Sequence, residues 1–367
     1  MKSNYKALYE LVERIDERNS DGSVTDLLGV SIDKCFIKSV ANTNGTDLTK
    51  YKVIRKDDFA VSLMQVSRDS KIPVARLDEY DKAIMSPAYP IFRVKDKKVI
   101  LPEYLDMWFK RPEFDREAAF IAVGGVRGSM PWEEFEKMQL PVPPIEEQLE
   151  IVASYKAITD RIALKRRIND NLEATARAIY KKMFIEDVDF TNLPNDWQIT
   201  ELENVAELSA GGDRPTVYSD FQTDICQVPI FSNGIDKEGL YGYTDKAKIF
   251  DESVTVSARG TVGYVFLREE PYVPIVRLIS VIPKTEYVTA KYLYFALAGI
   301  DLQSTGTSQQ QITVPDFKKR QITVPNSASM CLFTERIEPL FKTINQYKAE
   351  ISSLVALQTN YLALLSR

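Results

Sequence analysis

The 367-residue chain contains no histidine. That absence removes Ser-His and Cys-His nucleophile pairs, imidazole metal ligands and histidine general bases together, and with them most hydrolase chemistry. Cysteine is scarce as well. Cys35, Cys226 and Cys331 are odd in number and far apart, which suits a reducing compartment and supplies neither a disulfide framework nor a zinc site. No apolar run reaches membrane-spanning length, and Met1-Lys2-Ser3-Asn4-Tyr5-Lys6 leads straight into a charged amphipathic stretch without the apolar core of a secretory signal. A cytoplasmic location is expected. Positive charge is not in excess either: 47 Lys and Arg stand against 52 Asp and Glu, a net charge of −5. A body of that sign is not a nonspecific nucleic-acid binder, so any DNA contact must come from a local basic face or from partners that supply phosphate contacts.

Signatures of self-contained chemistry are missing too. There is no Gly-x-x-x-x-Gly-Lys-Ser/Thr loop for nucleotide phosphates. No Asn/Asp-Pro-Pro-aromatic element for methylating an amino group is present; Ser86-Pro87-Ala88-Tyr89 is only a distant echo. Gly124-Gly125-Val126-Arg127-Gly128 is glycine-rich without the phosphate-binding lysine and reads as a mobile loop. Asp57-Asp58 offers carboxylates for a metal in principle, but a turn before a strand accounts for the pair. No catalytic residue and no metal-ligand set is assigned.

What the chain does contain is a repeat. Ile337, Leu340, Ile344, Tyr347, Ile351, Leu354, Gln358, Tyr361 and Leu365 advance by threes and fours, a heptad seam. The residues 182 positions earlier are Tyr155, Ile158, Ile162, Lys165, Asn169, Leu172, Ala176, Ile179 and Met183, the same seam with polar substitutes in its middle. Upstream, Gly124, Phe135, Lys137, Gln139, Val142 and Pro143 meet Gly306, Phe317, Lys319, Gln321, Val324 and Pro325 at the same offset. Near the front the offset becomes 194, with Leu8, Leu11 and Val12 on Leu202, Val205 and Ala206, and Asp57 on Asp251; the first half is twelve residues longer internally. Packing of the apolar seam positions Ile158, Ile162, Leu172, Ile179, Ile337, Leu340, Ile344, Ile351 and Leu354 against each other is expected. Lys165 and Asn169 either fix register in that seam or face solvent where the helices diverge.

Length and an ordinary hydrophobic content of 44% favour two or three domains. Apolar spacing predicts a helix over 5–18, stopped by Asn19-Ser20-Asp21-Gly22. Short strands then alternate with turns at 52–54, 59–61, 72–75, 83–85 and 91–94, with a helix at 104–109. The second half runs similarly, with strands at 228–231, 253–256, 263–266 and 278–282 and a helix at 291–295. The fold class is α+β, two mixed globular domains separated by two long antiparallel helices in a coiled-coil hairpin. Expected boundaries are 1–143 for the first domain, 144–185 for the first helix, 186–325 for the linker and second domain, and 326–367 for the second helix. Residues 186–196 carry no periodicity and read as linker. Leu140-Pro141-Val142-Pro143-Pro144-Ile145-Glu146-Glu147-Gln148 marks a helix start, with proline before the first turn and carboxylates within it.

That helix-start element, its diverged repeat after Phe317, and the phrases Tyr51-Lys-Val-Ile-Arg-Lys-Asp-Asp-Phe59 and Ala258-Arg-Gly-Thr-Val-Gly263 resemble the specificity subunit of type I restriction-modification enzymes over nearly the entire chain. The resemblance implies a non-catalytic subunit whose two target-recognition domains each read one half of a split site in double-stranded DNA. It implies two methylation subunits docked on the helices, using S-adenosylmethionine to methylate adenine. It implies that restriction subunits, where they join, spend ATP with magnesium, and that no cofactor is held by this chain. In the second copy Val324-Pro325-Asn326-Ser327-Ala328-Ser329 replaces the fuller motif, a departure from the family pattern at one of the two helix starts.

Base edges are read by Arg, Lys, Asn, Gln, Ser and Thr. Loops of the first half offer Arg68, Lys71, Arg127 and Ser129; those of the second offer Arg214, Thr216, Asn233, Arg259, Gln309, Gln310 and Gln311. Arg127 and Gln309 match under the offset. For each of these residues the alternative is an ordinary solvated loop side chain. The helices would act as a ruler fixing the distance between half-sites. Two other classes compete: an adaptor presenting two protein- or glycan-binding modules, and a self-sufficient methyltransferase or nuclease, which the missing motifs disfavour.

Overall fold

A computed structural model describes residues 4–39, 46–64, 66–124, 128–260, 262–299 and 312–365. Packing divides the chain into two units, Met1–Arg167 with Tyr347–Arg367, and Ile168–Gln346. No described helix is long and apolar enough to cross a membrane.

The first unit does not contain the helix expected over 5–18. Tyr5–Ala7 is a strand paired antiparallel with Gln139–Pro141, Leu8–Leu11 makes one helical turn, and Val12–Ile15 is a strand beside Ile91–Val94. A short isolated helix is marginal, whereas pairing with two distant strands satisfies the backbone groups on either side of the turn. Leu8, Leu11 and Val12 are buried all the same, so the apolar spacing serves a strand-turn-strand path. A four-stranded sheet follows the order Val12–Ile15, Ile91–Val94, Phe59–Val61, Val74–Arg76. Its core side holds Phe59 stacked on Phe92 at 5.2 Å, with Phe109, Phe114, Trp132 and Phe135 around them. A second sheet orders Phe36–Lys38, Leu27–Val30, Lys82–Met85, Lys52–Arg55, the middle pair parallel.

The second unit repeats this plan. Gln198–Glu201 pairs with Gln321–Val324, and one helical turn, Leu202–Val205, follows. The main sheet orders Ala206–Ala210, Leu278–Pro283, Ser253–Ser257, Val265–Arg268. A smaller sheet orders Leu240–Thr244, Val228–Phe231, Val273–Pro274, with the last pair again parallel. The helix Ala290–Ala298 stands where the first unit has Pro102–Phe109. Register locates the extra residues of the first half. Val12 opposes Val94 and Ala206 opposes Pro283, so the offset has dropped from 194 to 189 within the sheet, and it reaches 182 only beyond the helix Pro102–Phe109.

Ser253–Ser257 shows how the sequence builds a central strand buried on both faces. Val254 and Val256 enter the core beside Tyr292 and Phe295. The alternate residues Ser253, Thr255 and Ser257 are also buried, and each has a partner: the Tyr272 hydroxyl at 2.9 Å, the Arg268 guanidinium at 2.9 Å and the Asn233 carbonyl at 3.5 Å. Buried hydroxyls require such partners.

Two long helices, Ile145–Lys181 and Ser327–Leu364, contribute to both units. In the first unit their segments run antiparallel. The Tyr361 hydroxyl reaches the Ile151 carbonyl, Gln358 donates to Thr159, and Glu350 accepts from Arg161 and lies 2.6 Å from the Lys165 ammonium. Lys165 also sits 3.7 Å from the Tyr347 ring centroid. Ile162 is buried there; Ile158, Ile351 and Leu354 are half-buried. In the second unit Leu172, Ile179 and Leu340 pack against buried Ile337 and Ile344, and Asn169 donates to the Ile344 carbonyl at 3.3 Å. The polar pair Lys165 and Asn169 therefore lies on the seam side. The first helix widens into a π turn over Lys182–Glu186, where Phe184 is buried.

The two helix starts are built differently. Gln148 is fully buried; its carbonyl accepts from the Leu101 amide at 2.9 Å and its amide donates to the Val99 and Pro143 carbonyls at 3.0 and 2.8 Å. At the matching position the second helix has buried Met330, and Asn326 caps the turn by accepting from the Ser329 amide at 2.9 Å.

Candidate nucleic-acid interface

Those candidate readers that the structure describes lie toward one edge of each unit's main sheet. In the second unit Ala206–Ala210 and Ser253–Ser257 end at the edge where Leu278–Pro283 begins. Arg214 and Thr216 follow the first of these strands and Arg259 follows the second. Gly211 lies against the chain at Ile275 so closely that a Cβ would approach the Ile275 carbonyl to 2.1 Å, which is why glycine opens this loop. Arg214 stacks on the Tyr218 ring at 4.6 Å, and Thr216 is exposed beside it. Asn233 comes from the smaller sheet's loop and donates to the Arg259 carbonyl at 2.7 Å, joining two loops that sequence alone left separate.

Arg277, absent from the sequence-derived set, belongs at this edge too. It is exposed, has φ 74°, and its carbonyl accepts from the Ala258 amide at 2.9 Å. A left-handed arginine between two strands leaves no sequence signature. Arg214, Arg259 and Arg277 share the edge with Asp213, while the opposite edge is acidic. There Glu207, Asp251, Glu252 and Glu286, with Lys284, line a cavity of about 660 Å³. The two edges of the sheet thus differ in charge although the whole chain is negative.

In the first unit Val12–Ile15 and Phe59–Val61 end at the corresponding edge. Arg68 lies there on the short helix Val66–Asp69, its guanidinium donating to the Asp69 carboxylate at 2.8 Å, and Lys71 follows, exposed. That carboxylate holds the Arg68 pKa above its ordinary value. Ser129 belongs to a loop pressed on the same helix, for a Cβ on Gly128 would meet the Ser67 hydroxyl at 2.3 Å. The opposite edge carries a closed ion network. Asp57 lies 2.7 Å from Arg76 and 2.8 Å from Lys97, and Asp58 accepts from Arg93 Nε and Nη2, each at 3.0 Å. Burial opposes ionisation of Asp57, but its two cations prevail and hold its pKa below the usual carboxylate value. Asp57 and Asp58 are therefore occupied by cationic side chains, and among the described residues no three or more Cys, Asp and Glu side chains come together as a metal-ligand set.

Arg127, Gln309, Gln310 and Gln311 lie outside the described residues. The Met130 amide donates to the Leu63 carbonyl at 2.9 Å, and the Ile312 amide to the Ala258 carbonyl at 2.8 Å. Met130 and Ile312 are 182 residues apart, so equivalent residues of the two units each bond back to the chain just beyond a main-sheet strand.

Comparison with known proteins agrees with this architecture. The family model of the type I restriction modification DNA specificity domain matches residues 194–353. A protein of Mycoplasma pneumoniae named as a type I specificity subunit is 31% identical over 147 residues, 40% of each chain. Another from that organism, named as the C-terminus of such a subunit, is 36% identical over 99 residues, 27% of this chain and 68% of that one. The chain thus spans less than half the length of the first of these relatives. The crystal structure of a type I restriction-modification system S subunit from M. genitalium shares the fold, with a TM-score of 0.59 at 14% identity, covering 99% of this chain and 96% of that one. The chain belongs to the type I restriction-modification DNA specificity family.

Proposed function

We propose that this chain is the non-catalytic, sequence-reading subunit of a type I restriction-modification complex, each unit reading one half of a bipartite site in double-stranded DNA. The observation that supports the reading is the repeated edge: in both units an equivalent residue, Met130 or Ile312, bonds back to the end of a main-sheet strand, and the described polar side chains near that edge differ, Arg68 and Lys71 in one unit and Arg214, Asn233 and Arg259 in the other. One framework with two side-chain sets is what two unlike half-sites require. Arg68, Lys71, Arg127 and Ser129 serve one half-site; Arg214, Thr216, Asn233, Arg259 and Gln309 to Gln311 serve the other. The helices form a coiled-coil hairpin that sets the unread spacer and docks two methylation subunits, which bring S-adenosylmethionine. Restriction subunits, where they join, bring ATP and magnesium.

Mapping methylated adenines genome-wide in cells with and without this chain tests the proposal. The expected result is a split motif that vanishes with the gene. Purified with its methylation partner, the chain should lose duplex affinity steeply as salt rises, because phosphate contacts release counterions. No split motif and salt-insensitive binding would instead favour the protein- or glycan-binding adaptor.

A further inference from the structure

We propose that Arg268 is a positioning residue for half-site selectivity: from beneath the second unit's sheet it locks the 232–239 loop so that Asn233 and Arg259 act as one reader. This deepens the DNA-reading function proposed above and rests on it.

Arg268 is 3% exposed, and its guanidinium is used on every side. Nε donates to Thr255 Oγ1 at 2.9 Å, and Nη2 donates to the Glu238 carbonyl at 2.6 Å. Nη1 lies 3.7 Å from the Glu238 carboxylate, and the plane rests 3.6 Å from the Phe231 ring centroid. Burial lowers its pKa to about 10, so it remains charged at neutral pH. Lysine cannot reproduce a planar fork that donates in two directions while stacked.

The segment it grips does not hold its shape by itself. Lys237, Glu238 and Gly239 are consecutive left-handed residues, with φ of 50°, 56° and 82°. Side-chain-bearing residues in that region carry a conformational cost. The loop closes where the Ser232 amide donates to the Gly239 carbonyl at 2.8 Å. A Cβ on Gly239 would approach the Ser232 carbonyl to 2.5 Å, so the closure admits only glycine. Asn233 follows immediately. Its backbone carbonyl accepts from the Ser257 hydroxyl, and its side-chain amide donates to the Arg259 carbonyl. A continuous path of bonds thus runs from the buried guanidinium through the left-handed turn to the two candidate readers. Arg268 itself touches no reading edge.

The test compares the chain assembled with its methylation partner, wild type and variant, on duplexes with single base changes in each half of the methylation motif. Asn233→Ala and Arg259→Ala identify the half read by the second unit. Arg268→Lys is expected to lower discrimination in that same half about tenfold, at the positions those two variants affect, while the other half and nonspecific affinity stay at wild-type values. A merely structural arginine would alter both halves or overall affinity. Gly239→Ala strains the same closure while keeping the guanidinium, and it should relax the same positions; it decides the matter if Arg268→Lys fails to melt cooperatively. Wild-type selectivity in both folded variants, or equal relaxation of the two halves, overturns the positioning role while leaving the DNA-reading function intact. A wild-type complex with no bipartite motif overturns both.

Discussion

A buried amide is tolerated only if both of its ends are bonded, and Gln148 meets that condition with one acceptance and two donations. It fastens the first turn of the long helix to the chain at Val99 and Leu101. Replacing it with alanine leaves the Leu101 amide and two carbonyls without that partner and opens a small void. Gln148→Ala should therefore cost about 3 kcal/mol. Denaturant melting of the first unit, followed by Trp108 or Trp132 fluorescence, measures it; a loss below about 1 kcal/mol would mean that water replaces the amide. The motif containing Gln148 was legible in the sequence as a helix start. Its fastening role was not, because Val99 lies 49 residues away and the second copy has apolar Met330 at the same position.

At the scale of elements, the two long helices were the most legible feature, since a 3-4 spacing sustained over several turns marks an amphipathic helix and little else. The same spacing misled at residues 5–18, where strand partners far along the chain take over after a single turn. Nor does the heptad seam account for all of the helix packing. Tyr180, Phe184 and Phe341 lie off it and form a further apolar flank in the second unit, beside Phe333, which extends the seam by one step. One residue runs against the helix throughout: Pro339 stands inside Ser327–Leu364, exposed, with its carbonyl accepting from the Thr343 hydroxyl at 2.8 Å. An interior proline removes an amide donor and crowds the preceding turn, at about 3 kcal/mol, partly offset by its stiffening of the unfolded chain. Pro339→Ala is expected to stabilise the protein by about 2 kcal/mol, raising the melting temperature by a few degrees. A lower melting temperature would show that the second unit's packing depends on Pro339 itself.

For the molecule as a whole, the proposed ruler makes a geometric demand. Four residues inserted at paired points of both helices add about 6 Å of rise, and the unread spacer should lengthen by about one or two base pairs. Methylation-site mapping of the double insertion reads this directly, and an unchanged spacer would exclude the helices as the ruler. The duplicated plan was visible as two offsets because helices and sheet edges constrain residue type. The pairing of Asn233 with Arg259, the left-handed Arg277 and the buried Arg268 were not visible, since each depends on loops brought together only by the finished sheet. The division into units also sets an order of assembly. The second unit is one unbroken stretch, Ile168–Gln346, whereas the first needs both Met1–Arg167 and Tyr347–Arg367. On a ribosome the synthesis of Ile168–Gln346 therefore separates the two segments of the first unit by roughly ten to forty seconds at ordinary elongation rates, and that unit can close only once Tyr347–Arg367 has followed.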